Sequence, residues 1–381
     1  MNDKSVAKPH WTSLAITSLF AVVLLSGCTT PSPTAGVRLN EIQVIGTHNS
    51  YHLRGHESLL TLIAARNPKA RQELDYGHKP LPEQLSRLGI RQIELDCHAD
   101  PVGGLYAKPL GIERAARAVL PPVPNHDPTG RLRQPGIKVM HVPDIDFASS
   151  ALTLVDALRQ VREWSVKNPR HVPVFILLEL KEDSLGPGFT QPVPFDQVQL
   201  ANLEKEILSV FPRKSILTPD DVRGRAVTLP EALRHSGWPL LDAVRGRVMF
   251  GLDNEGAVRD RYLEGHPALE RRLIFVSVSP ANPAAAWMKR NDPIGDFAEI
   301  QGLVRSGFLV RTRADSDTHE ARTNDSRKRE RALASGAQFV STDYPEPDLR
   351  FSPYCVRLPG GAVARTNPVN HPDKFSKEEV E

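Results

Sequence analysis

Short apolar runs recur along the chain with longer polar or amphipathic stretches between them. They occupy residues 41–46 (EIQVIG), 90–96 (IRQIELD), 137–142 (IKVMHV), 172–180 (VPVFILLEL), 247–253 (RVMFGLD), 273–278 (LIFVSV), 308–313 (FLVRTR) and 337–343 (AQFVSTD). Their length and their content of Val, Ile and Phe predict buried β-strands. Residues 149–168 place Ala151, Leu154, Val155, Leu158 and Val161 on one face, which predicts a helix capped by Ser149 or Ser150. Residues 325–336 open on an Asp and close on Gly336, a second helix with its C-terminal stop. Strand alternating with helix implies parallel strands with helices outside, and eight such units imply an α/β fold of the (β/α)8 TIM-barrel type. The Pro- and Gly-rich residues 99–136 read as an elaborated loop.

The first residues follow a different pattern. Lys4 and Lys8 precede the apolar run SLAITSLFAVVLL, which leads into SGC. A basic start, a short apolar core and small residues predict a secretory leader over residues 1–27. LSGC resembles a bacterial lipobox, which implies cleavage before Cys28 and acylation of its thiol. Residues 28–38 then read as a flexible tether, 39–350 as the barrel and 351–381 as a C-terminal extension. The expectation is an exported protein, lipid-anchored to a bacterial membrane on its periplasmic side or at the cell surface.

Composition adds exclusions. The 381 residues are 40% hydrophobic and 24% charged, with a net charge of +3. That is a globular composition, and with basic and acidic residues nearly balanced it offers no footing for nucleic acid. Cys97 ends an apolar run, where a buried thiol is expected. Oligomeric state is not encoded in any of these patterns.

The chemistry gathers where apolar runs suddenly turn ionisable. His48 and Asn49 follow the first run, Glu94 and Asp96 close the second, His141 the third, and Glu179 with Lys181 the fourth. The C-terminal ends of barrel strands are where such folds carry their sites. Glu94 and Asp96 are two apart and share a strand face, as do Glu179 and Lys181. Carboxylates from neighbouring strands, with the Asn49 amide oxygen, form an all-oxygen set suited to a hard divalent cation. Two histidines beside such a cation suit acid–base and electrostatic work on a phosphate ester.

GTHNSY, IELDC, VMHVPDID and PVFILLELKED, in this order, resemble the calcium-dependent phosphatidylinositol-specific phospholipase C family, and its bacterial secreted branch most of all. ADPVGGLYAKPLG and SGAQFVSTDYPEPD extend the resemblance, which spans residues 39–349. It implies a barrel and a Ca²⁺-assisted cleavage of a phosphodiester, with Ca²⁺ ahead of Mg²⁺ and a phospholipid or related diester as substrate. His48 and His141 match the family's catalytic histidines, and Asn49, Glu94, Asp96 and Glu179 its calcium ligands. Lys181 falls where a phosphate or inositol contact would suit. Arg313 and Tyr344, near the ends of the last two runs, stand as substrate contacts. The segment from Asp96 to His141 is much longer than in the animal enzymes. Two alternatives remain open at this stage, a glycerophosphodiester phosphodiesterase and a non-enzymatic lipoprotein that keeps the barrel for binding.

Overall fold

Every residue of β1 (Ile42–Thr47) is buried, as expected of a strand with a core on both sides. The structure, a computed structural model, describes residues 1–3, 5, 7–8, 36–371 and 380–381. Most of the leader, Cys28 and most of the tether therefore lie outside the described residues. Contacts divide the chain into two units, Met1–Ser32 and Pro33–Glu381. The second contains all the elements described below. No helix among the described residues is long and apolar enough to cross a membrane.

Eight parallel strands form the wall: β1, β2 (Gln92–His98), β4 (Val174–Leu180), β5 (Val248–Leu252), β6 (Ile274–Val276), β7 (Trp287–Lys289), β8 (Leu309–Arg313) and β9 (Phe339–Thr342). Neighbours run β6-β5-β4-β2-β1-β9-β8-β7, and a parallel bridge between Ser277 and Trp287 closes the ring from β6 to β7. Two further strands lie off the ring. β3 (Lys138–Val139) pairs antiparallel with β2, and β10 (Ala364–Thr366) pairs antiparallel with β1.

The barrel class is as the sequence indicated, but its staves differ by one. The run at 137–142 is not a stave. It contributes only the two-residue β3, laid antiparallel against Cys97 and His98. The missing stave is Trp287–Lys289, which pairs with Leu309–Arg311. Three residues in AAAWMKR carry too little strand pattern to stand out, and their pairing is set by the neighbouring strand. The helix expected from Ser149 begins later, as Leu154–Lys167, with Thr153 capping Asp156 N–H. Ser149 is held extended by a bridge to His52, so the chain cannot turn helical there. Residues 99–136 carry the helix Leu110–Arg117 and a short 3-10 turn, consistent with a long loop.

The barrel interior changes character from bottom to top. Phe175 stacks on Phe339 at 4.6 Å and meets Trp287 edge-on at 5.3 Å, a dry plug at the N-terminal end. Above it the Gln92 side chain crosses the lumen, reaching the Thr47 carbonyl at 3.2 Å and accepting from the Ser341 hydroxyl. A Cβ at Gly46 would lie 2.0 Å from Gln92 Oε1, so β1 has no room for a side chain there. From Gln92 upward, alternate residues of β2 carry this polar column toward the C-terminal mouth through Glu94 to Asp96.

Candidate active site

Register brings the acidic residues together. β2 and β4 pair so that Asp96 lies directly opposite Glu179, with Glu94 one inward-facing step below. Glu94, Asp96 and Glu179 each present a carboxylate oxygen, and these oxygens lie within 4.8 Å of one another. Burial lifts the Glu94 carboxyl to about 8 although Arg311 opposes it, and burial lifts Asp96 to about 8 against the pull of Lys181. Such a cluster lacks positive charge. Two cations of the chain compensate in part. Arg311, itself buried, sits 2.6 Å from Glu94 Oε2, and Lys181 Nζ lies 3.1 Å from Asp96 and 2.9 Å from Glu179. Lys181 is therefore placed among the carboxylates and stands where a cation's charge is wanted.

Asn49 is tied to the same place. The neighbouring Ser50 donates its N–H to the Glu94 carbonyl at 2.9 Å, and its hydroxyl accepts from Glu94 N–H at 2.8 Å. Asn49 adopts φ 44°, a left-handed turn that Asn tolerates. Its side-chain N–H₂ donates to the Tyr76 hydroxyl at 3.3 Å, while Oδ1 is buried without a hydrogen-bond partner. A buried acceptor left over, beside three carboxylates, fits a hard divalent cation on chemistry alone.

Each histidine is braced by a carboxylate. His48 Nδ1 lies 2.9 Å from Asp343 Oδ1, and its Nε2 is turned toward Glu94 Oε1 at 3.7 Å. Burial and then Arg313 push the His48 imidazolium down to about 3, with Asp343 opposing. Arg313 donates to Asp343 Oδ2 at 2.9 Å and to the Asp315 carbonyl at 3.0 Å. Against the push of burial, His48 and Arg313 hold Asp343 below the usual carboxylate range. His141 Nδ1 meets Asp146 Oδ2 at 2.8 Å, and a quarter of the His141 side chain is exposed at the mouth. His141 is not on a stave. A tight turn carries it, in which Val142 and Asp146 exchange backbone hydrogen bonds at 3.0 and 2.9 Å, setting Asp146 beside the ring.

Tyr344 lines a small cleft with Tyr76, His78 and Asp343. It is buried, packs edge-on against Tyr354 at 6.1 Å, and its hydroxyl has no hydrogen-bond partner. Cys97 is buried and, like Cys355, free.

Sequence reading passed over four groups that shape the site: Asp343, Asp146, Arg311 and His52. Asp343 carried the same signal as Glu94, an ionisable residue ending an apolar run, and Arg311 lies two before Arg313 on one face. His52 reads from sequence as a surface or supporting residue. It is fully buried and donates to Asp146. Asp253, just beyond β5, pairs with Lys289 at 2.9 Å, and its charge adds to the upward push on the Glu94 carboxyl.

Comparison with known proteins follows the same lines. The family model described as Ca²⁺-dependent phosphoinositide phospholipase C matches residues 37–368. Among solved structures, a Ca²⁺-dependent phosphatidylinositol-specific phospholipase C from Streptomyces antibioticus has a TM-score of 0.50 at 15% identity, covering 81% of this chain and 95% of that one. A calcium-dependent phosphoinositol-specific phospholipase C from Pseudomonas sp. has a TM-score of 0.49 at 17% identity, over 88% and 97% of the two chains. A myoinositol complex of the Pseudomonas protein gives 0.48, 17%, 86% and 95%. No curated protein matches the chain.

Proposed function

Because the chain belongs to the Ca²⁺-dependent phosphoinositide phospholipase C family, we propose that its barrel mouth cleaves the glycerol–phosphate ester of an inositol phospholipid by attack of the inositol 2-hydroxyl, giving a 1,2-cyclic phosphate. The chain is a phosphodiesterase of a calcium-dependent family. The observation that carries the finer reading is the meeting of two carboxylate-braced histidines with the Glu94, Asp96 and Glu179 cluster at one mouth.

In this reading Glu94, Asp96, Glu179 and Asn49 hold the calcium ion. Bound there, calcium would supply charge for a phosphate oxygen and lower the pKa of the attacking hydroxyl, whose proton passes to a carboxylate of the cluster as the new P–O bond forms. His48, with Nδ1 on Asp343, offers an Nε2–H to the charge that builds on phosphate once it is protonated, a form that burial opposes and a phosphate anion alongside favours. His141, with Nδ1 on Asp146, delivers a proton from Nε2 to the departing glycerol oxygen as its bond to phosphorus breaks. Arg313 fixes Asp343 and adds positive charge beside the phosphate. Lys181 exchanges its carboxylate partners for phosphate or inositol oxygens.

Product analysis tests the reaction. Phosphatidylinositol, other phospholipids and glycerophosphodiesters are each incubated with the protein in calcium and in EDTA. The expected result is inositol 1,2-cyclic phosphate from phosphatidylinositol, in calcium alone. Release of only the acyclic phosphate, with glycerophosphodiesters turned over best, would favour water as the nucleophile and overturn the reading. Binding without any turnover would leave a lipid-binding barrel.

The leader, with Lys4, Lys8 and LSGC, supports a further part of the proposal: export, and attachment to a bacterial membrane by acylation of Cys28. Labelled palmitate is expected to enter the native chain and not the Cys28→Ser variant. Equal labelling of the two would remove the anchor.

A further inference from the structure

Asp146 serves two histidines. His141 takes Oδ2 from the side of the mouth at 2.8 Å, and the buried His52 approaches from behind with Nε2 at 3.0 Å from both Oδ1 and Oδ2. His52 is unusually well fixed. Its N–H donates to the Asn49 carbonyl at 2.8 Å, its carbonyl accepts from His78 N–H at 2.8 Å, and its backbone bridges to Ser149. Its ring lies on Tyr76 at 4.6 Å and meets His141 edge-on at 6.1 Å. The His52 Nδ1 atom is buried without a hydrogen-bond partner, so the ring's hydrogen bonding is all directed at Asp146.

A carboxylate turns readily about its last bond, whose torsion is broad. One contact at Oδ2 would leave Asp146 free to swing and carry the His141 ring with it. A donor shared between both oxygens fixes the carboxylate plane, and misplacement of a reacting group by a fraction of an ångström is costly in rate. The same loop runs from His48 and Asn49 to His52. It therefore sets the phosphate-side histidine, the amide oxygen of the cation site and, through Asp146, the histidine at the leaving group. We propose that His52 is a positioning residue for proton delivery by His141, acting through Asp146. The proposal rests on the reading of His141 as the general acid.

A residue that only fills the core would affect all substrates alike, whereas loss of proton delivery shows with a poor leaving group. The test compares phosphatidylinositol, whose leaving oxygen is an alkoxide, with inositol 1-(4-nitrophenyl phosphate), whose phenolate departs without a proton. His52→Leu is expected to lower kcat on phosphatidylinositol at least tenfold with KM unchanged, and to leave kcat on the nitrophenyl ester within about twofold. His52→Gln, which keeps an N–H on a side chain of similar reach, is expected to recover most of the loss. Thermal melts accompany each variant. Where His52→Leu does not fold, His52→Asn takes its place, since its shorter amide falls short of Asp146. Equal slowing on both substrates, or no slowing on either, overturns the positioning role. His141→Ala is run alongside. If it fails to show the leaving-group split, the general-acid reading falls and the proposal with it. If it shows the split and His52→Leu does not, only the proposal falls.

Discussion

Replacement of His48 or of His141 by alanine is expected to lower kcat on phosphatidylinositol by roughly 10²–10⁴-fold, the scale of a lost acid–base group. The two losses should differ in kind. His141→Ala removes the proton donor to the leaving oxygen, so a phenolate leaving group should restore much of its rate. His48→Ala removes a partner of the phosphate itself and should slow good and poor leaving groups alike. It also strips Asp343 of the donor at 2.9 Å, leaving Arg313 as its cationic partner. The double variant should lose less than the product of the two single losses, because residues serving one transition state are not additive. Steady-state kinetics on both substrates measure all three. Near-native kcat in either single variant would remove that histidine from the chemistry.

Chelation of calcium is expected to abolish turnover, and added Ca²⁺ to restore it. The metal-free site also makes a prediction about protons. Glu94 and Asp96 stand at about 8 where their ordinary values are 4.5 and 3.8. Near pH 7 the folded, metal-free chain therefore holds protons that a cation must expel. Calcium affinity should rise with pH between about 6 and 8, and binding should release protons. Calorimetry in buffers of different ionisation enthalpy measures that release. The sign for stability follows from the same values. The unfolded chain loses these protons near pH 4 and the folded chain only near 8, so the metal-free protein should weaken as pH rises through that window. Calcium at a hundred times its Kd should add about 2.7 kcal/mol. A calcium affinity flat in pH, or a melting temperature indifferent to calcium, would contradict a cation at these carboxylates.

The alternation of strand and helix was legible because buried parallel strands read as unbroken apolar runs. What the pattern lacked was pairing. It took the run at 137–142 for a stave, although that run only pairs antiparallel with the last residues of β2, and it passed over Trp287–Lys289. Polar residues at the ends of runs marked the mouth well, since an ionisable group seldom ends a buried strand without a partner. The rule reached His141 too, whose place comes from a turn and not from a barrel strand. It stopped short of the partners. Asp146 sits five residues beyond His141, while Asp343 meets His48 across 295 positions. Contacts of the second kind leave no trace in local periodicity.

β1 is held from both edges by the far end of the chain. β9 lies along Val44–Thr47 on one side, and β10 along Ile42–Val44 on the side it otherwise shares with β2. The strand that leads into His48 and Asn49 is made among the first and paired among the last. A growing chain that has not yet reached residues 339–366 already contains β2 and β4 with their carboxylates. For β1 it offers only the short parallel pairing with β2, Gly46 opposite Gln92. Competence thus arrives with the closing of a seam, after the emergence of nearly all the polypeptide, and such long-range closure is the slow kind.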